Sequence, residues 1–371
     1  MKIFCSLPFK KVFLGPDGGI KTCCAAIHTI GNLNENTIDE ILHGDEVRGV
    51  RDKFINNEWP AQCRNCKDIG TNINVDATEM RYDDYIYDNA IKYGSSYFDL
   101  KTIDLRWSNL CNLVCNYCEP YFSSRWAQIK NIKINDTRNM DTLLDFIGVS
   151  AKKSKIEHVQ LLGGEPLLQK QNIELIERIK DNSLLIAIST NLSIPLENNK
   201  IAQLLLKHEN VHWHISMDNI GKRLEYVRDG ASWEVLSDNI KYLQYNNQQV
   251  KIWPIYSIYS ATNMIELYDW AITNGVLDVH WQVVSSGGPY PIYVKNLSKE
   301  LKLKAINEID TVMEKYGSMY EMTRLQTYKD SMLLKYLDIT DLLDYKEYHR
   351  DLEQNVLKNK QHTFAELWPD L

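Results

Sequence analysis

The chain has 371 residues, of which 44% are hydrophobic and 25% charged, a composition typical of globular proteins. That composition excludes a disordered chain, and the length predicts about two to three domains. Forty-two basic and 49 acidic residues give a net charge of −7, so no overall basic field points to nucleic acid. No segment approaches the about 18 consecutive apolar residues of a membrane span, and the N-terminus lacks the features of a signal peptide. We therefore expect a soluble, cytoplasmic protein.

The first 100 residues form two segments whose amino-acid composition differs from that of the rest of the chain. Residues 1 to about 75 are rich in Cys, Gly, Asn and Pro, with one helical pattern at 37–54. A tyrosine-rich connector follows, and its rings suit half-buried packing between domains. These tyrosines are Tyr82, Tyr85, Tyr87, Tyr93 and Tyr97.

From about residue 101, short apolar runs alternate with helical patterns. The candidate strands lie at 102–107, 158–162, 184–189, 212–217, 250–255 and 278–283. Helical patterns separate most of them, at 171–180, 201–207, 233–243 and 265–272. This alternation indicates βα units with a parallel sheet, and six strands rather than eight predict a partial barrel. Beyond Pro291 the chain reads as mostly helical, most clearly at 301–316.

The eight cysteines fall into two groups, five between Cys5 and Cys66 and three between Cys111 and Cys118. A long chain without an export signal is not expected to carry a disulfide framework. In a reducing cytosol, clustered cysteines more often bind metals or take part in redox chemistry. Both groups are therefore candidate metal or redox sites.

The second group consists of Cys111, Cys115 and Cys118, with three and then two intervening residues. Three thiolates at this spacing can bind one face of an iron–sulfur cube, which normally takes four cysteines. Because no cysteine follows Cys118, one iron would keep an open coordination position, as catalytic metal sites do. The triplet also follows the first strand of the βα region, at the end where barrel folds place active sites.

This C-x3-C-x2-C pattern after the first strand of a partial barrel resembles the radical SAM superfamily. The resemblance implies that Cys111, Cys115 and Cys118 bind a 4Fe–4S cluster whose open iron holds S-adenosylmethionine (SAM). It further implies one-electron cleavage of SAM to methionine and a 5′-deoxyadenosyl radical, which abstracts hydrogen from a substrate. Tyr117, before the last cysteine, matches the aromatic residue that lies near the adenine in the family.

The turn after the second strand adds a further match. Gly163, Gly164, Glu165 and Pro166 resemble the family's GGEP motif, which hydrogen-bonds the SAM amino group. A glycine pair alone would indicate only a tight turn, so the position after this strand gives the motif its weight.

Polar residues at the ends of the next two strands also resemble the family. Ser189 and Asn191 are similar to its ribose contacts, and Ser216 with Asp218 matches a common S-x-D strand ending. Arg228 stands where many members place an arginine near the SAM carboxylate, with a surface ion pair as the alternative.

His212 and His214 share a strand face by period two. Polar residues of the sheet interior or cavity are favoured over a metal-binding pair, because no third ligand is apparent.

The N-terminal cysteines resemble an auxiliary cluster module of the twitch or SPASM type: an early cysteine, an Asp17-Gly18 turn with a cysteine shortly after, then C-x2-C. The implied ligands are Cys5, Cys23, Cys63 and Cys66. Cys23 fits the module better than Cys24. The N-terminal cysteines supply ligands for only one cluster, which favours the smaller twitch form. In the best-known members this module follows the barrel, whereas here it precedes it. A four-cysteine zinc site is the alternative for these ligands.

The resemblance implies a twitch-like domain at 1–78, a connector at 79–100, a radical SAM partial barrel at 101–290 and a helical C-terminal extension at 291–371. The implied function is that of an oxidoreductase or modifying enzyme catalysing oxidation, epimerisation or bond formation, with flavodoxin or ferredoxin as electron donor. A peptide is the favoured substrate because twitch and SPASM relatives often act on ribosomally made peptides; a small molecule is the alternative. No residue stands out as a catalytic acid or base.

Two other functions remain open at this point. One is a non-catalytic binding protein stabilised by zinc or a cluster, and the other is a radical SAM enzyme that modifies RNA, which the net charge disfavours.

Overall fold

The computed structural model describes residues 3–64, 66, 83–135, 137, 140–152, 156–179, 183–283, 291–320, 322–340 and 342–371. Its strands are β1 (Lys11–Leu14), β2 (Gly19–Lys21), β3 (Gly31–Asn32), β4 (Thr102–Leu105), β5 (Val114–Cys115), β6 (His158–Leu161), β7 (Leu185–Thr190), β8 (Val211–Ile215), β9 (Arg228–Asp229), β10 (Gln249–Ile252), β11 (Ile255–Tyr256) and β12 (Gln282–Val283).

The helices follow the predicted alternation with the strands. They are Leu7–Lys10, Ile38–His43, Asp45–Ile55, Asp84–Tyr93, Ser124–Ile129, Met140–Lys152, Gln171–Arg178, Lys200–Leu205, Gly221–Val227, Trp233–Tyr245, Met264–Thr273, Lys299–Tyr316, Thr323–Ser331, Tyr345–Asp351 and Phe364–Leu367. Short 3-10 helices lie at Ala61–Cys63, Gly94–Ser96, Pro166–Leu168 and Val294–Asn296, and π-helical segments at Met332–Tyr336 and Leu352–Val356.

The chain divides into two compact units. The first comprises Met1–Cys111, Pro120–Ser189 and Glu197–His212, and the second comprises Asn112–Glu119, Thr190–Leu196 and Trp213–Leu371. The boundary therefore falls directly after Cys111 and passes through β7 and β8. The boundaries of these units differ from those of the predicted domains, and the predicted boundaries stay a prediction.

The first unit is built on a sheet in which β7, β6, β4, β1, β2 and β3 are successive neighbours. The four strands from β7 to β1 are parallel, and the β1–β2–β3 edge is antiparallel. Val12, Ile103, Val159 and Ile186 are in register across the parallel strands, and each is at most 1% exposed. The cysteine-rich N-terminal segment thus contributes β1 to the parallel sheet, which the sequence patterns did not predict.

The predicted helix at 37–54 is two helices that meet at Gly44. Thr37 begins the first helix with a capping box, because its side chain accepts from the Glu40 amide and the Glu40 carboxylate accepts from the Thr37 amide. Gly44 ends that helix and precedes Asp45–Ile55. The predicted helix at 171–180 is observed as Gln171–Arg178, and residue 180 lies outside the described residues, as does Tyr82 of the connector.

In the second unit β8 neighbours β10, and β11 pairs in parallel with β12. The predicted strand at 250–255 is interrupted after Ile252, since Pro254 has no amide hydrogen for a strand ladder. The predicted strand at 278–283 is reduced to a bridge between Ile252 and Val279 and to β12. The C-terminal part is helical as expected, and the α/β class with a parallel sheet is confirmed.

An aromatic cluster forms the core of the C-terminal part of the second unit. The His349 ring stacks on Phe364 at 3.9 Å, and its Nε2 lies 2.8 Å from the Tyr259 hydroxyl oxygen. Trp368 Nε1 donates to the Tyr259 carbonyl oxygen at 3.1 Å. Burial lowers the pKa of His349 from about 6.5 to about 4, so this buried ring is neutral near pH 7. Over the described residues, no helix combines the length and apolarity that a membrane span requires.

Candidate functional site

The four predicted N-terminal ligands lie around one cavity in the first unit. Cys5, Cys23, Cys63 and Cys66 line it together with mostly apolar side chains, while Cys24 is exposed and outside the cavity lining. The other lining residues are Leu7, Pro8, Thr22, Ala25, Ala26, Phe54 and Trp59. Four thiols in an apolar surrounding are the donor set of an iron–sulfur cluster, so these residues fit the implied group.

The four thiols are a donor set that two groups can use, a 4Fe–4S cluster and a zinc ion. Throughout the described part of the chain, no three His, Cys, Asp or Glu side chains lie close enough together to hold a metal ion. Zinc needs four ligand atoms about 2.0–2.3 Å from a single centre, whereas a 4Fe–4S cluster takes one cysteine at each of its irons. The four cysteines that line this cavity supply one thiolate for each iron of a 4Fe–4S cluster.

Local backbone contacts bring the cysteine segments of this cavity together. The Ile27 amide donates to the Gln62 carbonyl oxygen at 3.0 Å, which joins the loop after Cys23 to the turn that carries Cys63. Pro60 precedes that turn, and its carbonyl oxygen accepts from the Cys63 amide at 3.0 Å.

The predicted Asp17-Gly18 turn precedes Cys23. Gly18 has a φ of +83°, which favours glycine, and a Cβ there would lie 2.8 Å from Asn32 Oδ1. Asp17 Oδ1 accepts from the Gly19 amide at 3.1 Å, and the Leu33 amide donates to the Gly18 carbonyl oxygen at 2.9 Å. These two hydrogen bonds hold the turn in place. The strand β2 begins directly after it and leads to Cys23.

The cysteine triplet is held by separate contacts in each unit. In the first unit, the Cys111 amide and carbonyl both bond to Ser124 Oγ, at 3.1 and 3.2 Å. In the second unit, Cys115 lies in β5 opposite Arg228 of β9, and the Cys118 amide donates to the Cys115 carbonyl oxygen at 3.0 Å. Cys111 and Cys115 are buried, and Cys118 is half-buried.

The Gly163–Pro166 loop approaches the chain that leads into Cys111. The Glu165 amide donates to the Leu110 carbonyl oxygen at 2.8 Å, and a Cβ on Gly164 would lie only 2.4 Å from that oxygen. Arg106 Nη1 donates to the Gly163 carbonyl oxygen at 2.5 Å. Glycine at 164 is required by this close approach, which fixes the loop beside the first ligand of the triplet.

Three of the predicted SAM-site residues form one buried network in the second unit. Tyr117 donates to Asp218 Oδ2 at 2.7 Å, and Arg228 binds both oxygens of Asp218 at 2.9 and 3.2 Å. The Ile255 amide donates to Asp218 Oδ1 at 2.8 Å. Burial raises the pKa of Tyr117 well above its ordinary value. Burial opposes the charge of Arg228, but Asp218 outweighs it and raises the pKa of Arg228. The structure therefore places Arg228 against Asp218 in an ion pair that is buried rather than on the surface.

Asn191 belongs to a second polar network of the same unit. Its Nδ2 donates to Asn112 Oδ1 at 3.0 Å, and Asn112 Nδ2 donates to Ser193 Oγ at 2.8 Å. Ser193 closes the network, since its hydroxyl donates to Asn191 Oδ1 at 2.6 Å. Sequence reasoning missed Asn112 and Ser193, because Asn112 is an unspecified position of the cysteine motif, Ser193 belongs to no motif, and Asn112 lies 79 residues before Asn191.

Ser189 lies on a polar face of the first-unit sheet. Its hydroxyl accepts from Gln160 Nε2 at 3.0 Å, and on the same face the Asp104 carboxylate pairs with Lys11 at 2.8 Å. Parallel sheets covered by helices on both faces are nearly continuous in apolar residues, so this face differs from a helix-packed one. Sequence reasoning missed Asp104 and Gln160, which periodicity alone marks only as polar strand positions.

Ser216 and the two histidines lie on or directly after β8. The Ser216 amide donates to the Thr190 carbonyl oxygen at 2.9 Å, next to Asn191. The His214 ring stacks on Trp253 with 3.9 Å between centroids. The structure thus places His214 in a ring stack, and His212 falls in the first unit.

Two family models match the chain. The radical SAM superfamily model covers residues 105–256, which contain the cysteine triplet and the Gly163–Pro166 loop. An iron–sulfur cluster-binding domain model, SPASM, covers residues 5–67, which contain the four-cysteine cavity. The chain thus carries a radical SAM domain preceded by a SPASM-type cluster domain. A 4Fe–4S cluster, SAM and an auxiliary cluster are the cofactors of this combination.

Curated relatives are similar over parts of the chain. A 7-carboxy-7-deazaguanine synthase of Clostridium acetobutylicum is 38% identical over 24% of this chain and 36% of its own length. The radical SAM cyclopropyl synthase TigE of Paramaledivibacter caminithermalis is 30% identical over 43% of this chain and 37% of its own length. An uncharacterised protein of Methanocaldococcus jannaschii is 27% identical over 60% and 84%. The chain thus spans little more than a third of the two enzymes.

Among solved structures, Streptococcus suis SuiB bound to the precursor peptide SuiA aligns over 77% of this chain and 68% of its own. The identity is 16% and the TM-score is 0.48. The structure of native anSMEcpe with bound AdoMet and a peptide aligns over 58% and 61%, with 16% identity and a TM-score of 0.45.

Proposed function

We propose that this chain is a radical SAM enzyme that removes a hydrogen atom from a peptide and so oxidises, epimerises or cross-links it. The observation that carries the proposal is the triplet Cys111, Cys115 and Cys118 inside the matched radical SAM domain, with the Gly163–Pro166 loop packed beside Cys111. When bound, the cluster supplies the electron that cleaves SAM to methionine and a 5′-deoxyadenosyl radical, which takes a hydrogen atom from the substrate.

The protein's own residues hold and orient these groups. Cys111, Cys115 and Cys118 bind the cluster, and the Gly163–Pro166 loop binds the SAM amino group. The network of Tyr117, Asp218 and Arg228 positions the tyrosine ring, because Asp218 fixes the hydroxyl while Arg228 lies 5.3 Å over the ring. Ser189, Asn191 and Ser216 complete the polar side of the cofactor site.

A peptide substrate is supported by the SPASM-type module, since enzymes with such modules often act on ribosomally made peptides. The auxiliary cluster at Cys5, Cys23, Cys63 and Cys66 is proposed to pass electrons, orient the substrate or stabilise the fold. Flavodoxin or ferredoxin is the proposed electron donor, and the proposed location is the cytoplasm.

The decisive experiment measures iron, sulfide and zinc in anaerobically reconstituted protein and then SAM cleavage to 5′-deoxyadenosine. About eight irons and eight sulfides without zinc, with cleavage abolished in Cys118→Ala, are expected for two 4Fe–4S clusters. Cys24→Ala is the matched control, because that exposed thiol lies outside both groups of ligands, and it should retain iron and cleavage. Absence of iron and sulfide, or full cleavage by Cys118→Ala, would overturn the proposal.

A further inference from the structure

A buried lysine of the C-terminal segment lies beside β9, the strand that pairs with the one that carries Cys115, within the second unit. Lys360 donates to the Tyr226 carbonyl oxygen at 2.7 Å, pairs with Asp229 at 3.3 Å and lies 4.3 Å from the Tyr226 ring centroid. Its side chain is only 5% exposed. Burial lowers the pKa of Lys360, and the nearby charge of Asp229 opposes that change.

Strand pairing connects this lysine to the cluster ligand. In the β5–β9 ladder, Cys115 lies opposite Arg228 and Val114 lies opposite Asp229, so the partner of Lys360 is paired with the residue that precedes Cys115. Hydrogen bonds give a second connection. Lys360 donates to the Tyr226 carbonyl oxygen, and the next carbonyl oxygen along the chain, that of Val227, accepts from the amide of Asn116, which follows Cys115.

The two cations differ in how far their charge is neutralised. Arg228 is bound by both oxygens of Asp218, and the side chains of this pair are 6% and 1% exposed. Lys360 is equally buried, but its partner Asp229 is 33% exposed, so water screens the carboxylate more than the ammonium. The Lys360 ammonium is therefore less fully neutralised by its ion-pair partner than the Arg228 guanidinium is.

We propose that Lys360 raises the reduction potential of the cluster that is bound through Cys115. Reduction adds one negative charge to the cluster, and a buried ammonium near a thiolate ligand stabilises that charge, as net charge and solvent exposure do in iron–sulfur proteins generally. The inference rests on the proposed function, since it requires a cluster at the triplet. It also assigns a role to the C-terminal extension, which contains none of the SAM-binding motifs.

The test is a redox titration of the reconstituted full chain, followed by EPR, with the triplet cluster recognised by the change of its signal on adding SAM. Lys360→Gln should lower the ratio of reduced to oxidised cluster at a fixed potential about threefold to tenfold, a shift of about 30–60 mV at 59 mV per tenfold change. Asp229→Asn should move the potential in the opposite direction, because it leaves the ammonium without its carboxylate. Lys358→Gln, an exposed charge two residues away in the same segment, should leave the potential unchanged.

Opposite shifts in Lys360→Gln and Asp229→Asn separate a charge effect from general loosening, which would move both variants alike. Lys360→Arg keeps the charge and should retain the wild-type potential. An unchanged potential in Lys360→Gln with a full triplet cluster would overturn the inference and leave the proposed function intact. If Lys360→Gln binds no iron, an unchanged potential in Asp229→Asn overturns the inference. A wild-type chain without any cluster at the triplet would overturn the proposed function itself.

Discussion

Gly164 lacks a side chain where two backbone segments approach each other. A Cβ at this position would lie 2.4 Å from the Leu110 carbonyl oxygen and 2.5 Å from that of Asn109. Both oxygens belong to backbone that leads into Cys111, so neither can move aside as a flexible side chain would. One methyl group is therefore enough to separate the proposed SAM-binding loop from the cluster loop.

We predict that Gly164→Ala weakens SAM binding at least about tenfold, or about 1.4 kcal/mol, because the loop must shift to relieve the contact. Calorimetric titration of the reconstituted protein with SAM measures this directly. Gly49→Ala is the matched control: Gly49 lies in the helix Asp45–Ile55 with nothing within 4 Å of a Cβ. That change should leave SAM affinity unchanged and gain up to about 1 kcal/mol of stability. Equal SAM affinity in Gly164→Ala and wild type would contradict this account of the loop.

Single residues also mark the limit of sequence reasoning at this site. The motifs pointed to the three residues separately: Tyr117 near the adenine, Arg228 near the SAM carboxylate, and Asp218 as part of an S-x-D strand ending. The structure brings all three together, and Asp218 lies 101 residues after Tyr117. A pairing over that distance leaves no periodic or local signal, so the sequence predicts the residue types but not their mutual contacts. Lys360 has no motif at all, which is why only the structure shows it beside Asp229.

Among the secondary-structure elements, the strands differ in how well their pattern predicts them. The strands β4, β6, β7 and β8 each begin within one residue of the predicted position, because each is a short apolar run that stands out from the more polar sequence around it. The next predicted strand is broken at Pro254, whose missing amide hydrogen outweighs the apolar run around it. The strand β1 has only four residues and pairs with β4 about 90 residues later, so nothing local indicates it.

The helix Tyr345–Asp351 leads to a prediction about pH. His349 on this helix is 1% exposed and has a pKa lowered to about 4, whereas an unfolded chain has about 6.5. The unfolded chain then binds more protons, so stability is full above about pH 6.5 and is lost as pH falls toward about 4. Lowering the pH from about 7.5 to about 5 should therefore reduce the free energy of unfolding by about 2 kcal/mol through His349.

Denaturant unfolding of wild type and His349→Gln at both pH values measures that contribution. On acidification, the free energy of unfolding of the variant should fall by about 2 kcal/mol less than that of wild type, whatever the stability of the variant at the higher pH. His43→Gln, which removes a half-exposed histidine from a helix end, is measured alongside as the control for loss of a histidine elsewhere. A variant at position 349 whose pH dependence equals that of wild type would show that His349 does not titrate with unfolding.

On the scale of the whole molecule, the cysteine-rich segment is both a cluster module and a part of the main sheet. Cys5 lies two residues before the helix Leu7–Lys10, which leads into β1, and β1 pairs in parallel with β4, the strand at whose end the matched radical SAM region begins. A cluster bound by Cys5, Cys23, Cys63 and Cys66 would tie three distant parts of this segment together. Even one covalent link across a loop of this length contributes about 4 kcal/mol in the chain-entropy account.

We therefore predict that Cys23→Ser loses about four irons and lowers the melting temperature of the reconstituted protein. Hydrogen exchange should become faster at the amides of β1, which the lost cluster no longer anchors. The helix Trp233–Tyr245 lies in the second unit and should keep its protection, so it serves as an internal reference.

Cys24→Ser is the control for this experiment, because it changes the neighbouring, exposed thiol that does not line the cavity. It should retain all its iron and the wild-type exchange pattern. Iron loss in Cys24→Ser rather than in Cys23→Ser would show that the ligand is the other cysteine of the pair. Iron loss in Cys23→Ser with unchanged exchange in β1 would show that the sheet edge holds without the auxiliary cluster, which would then act on electrons or substrate and not on the fold.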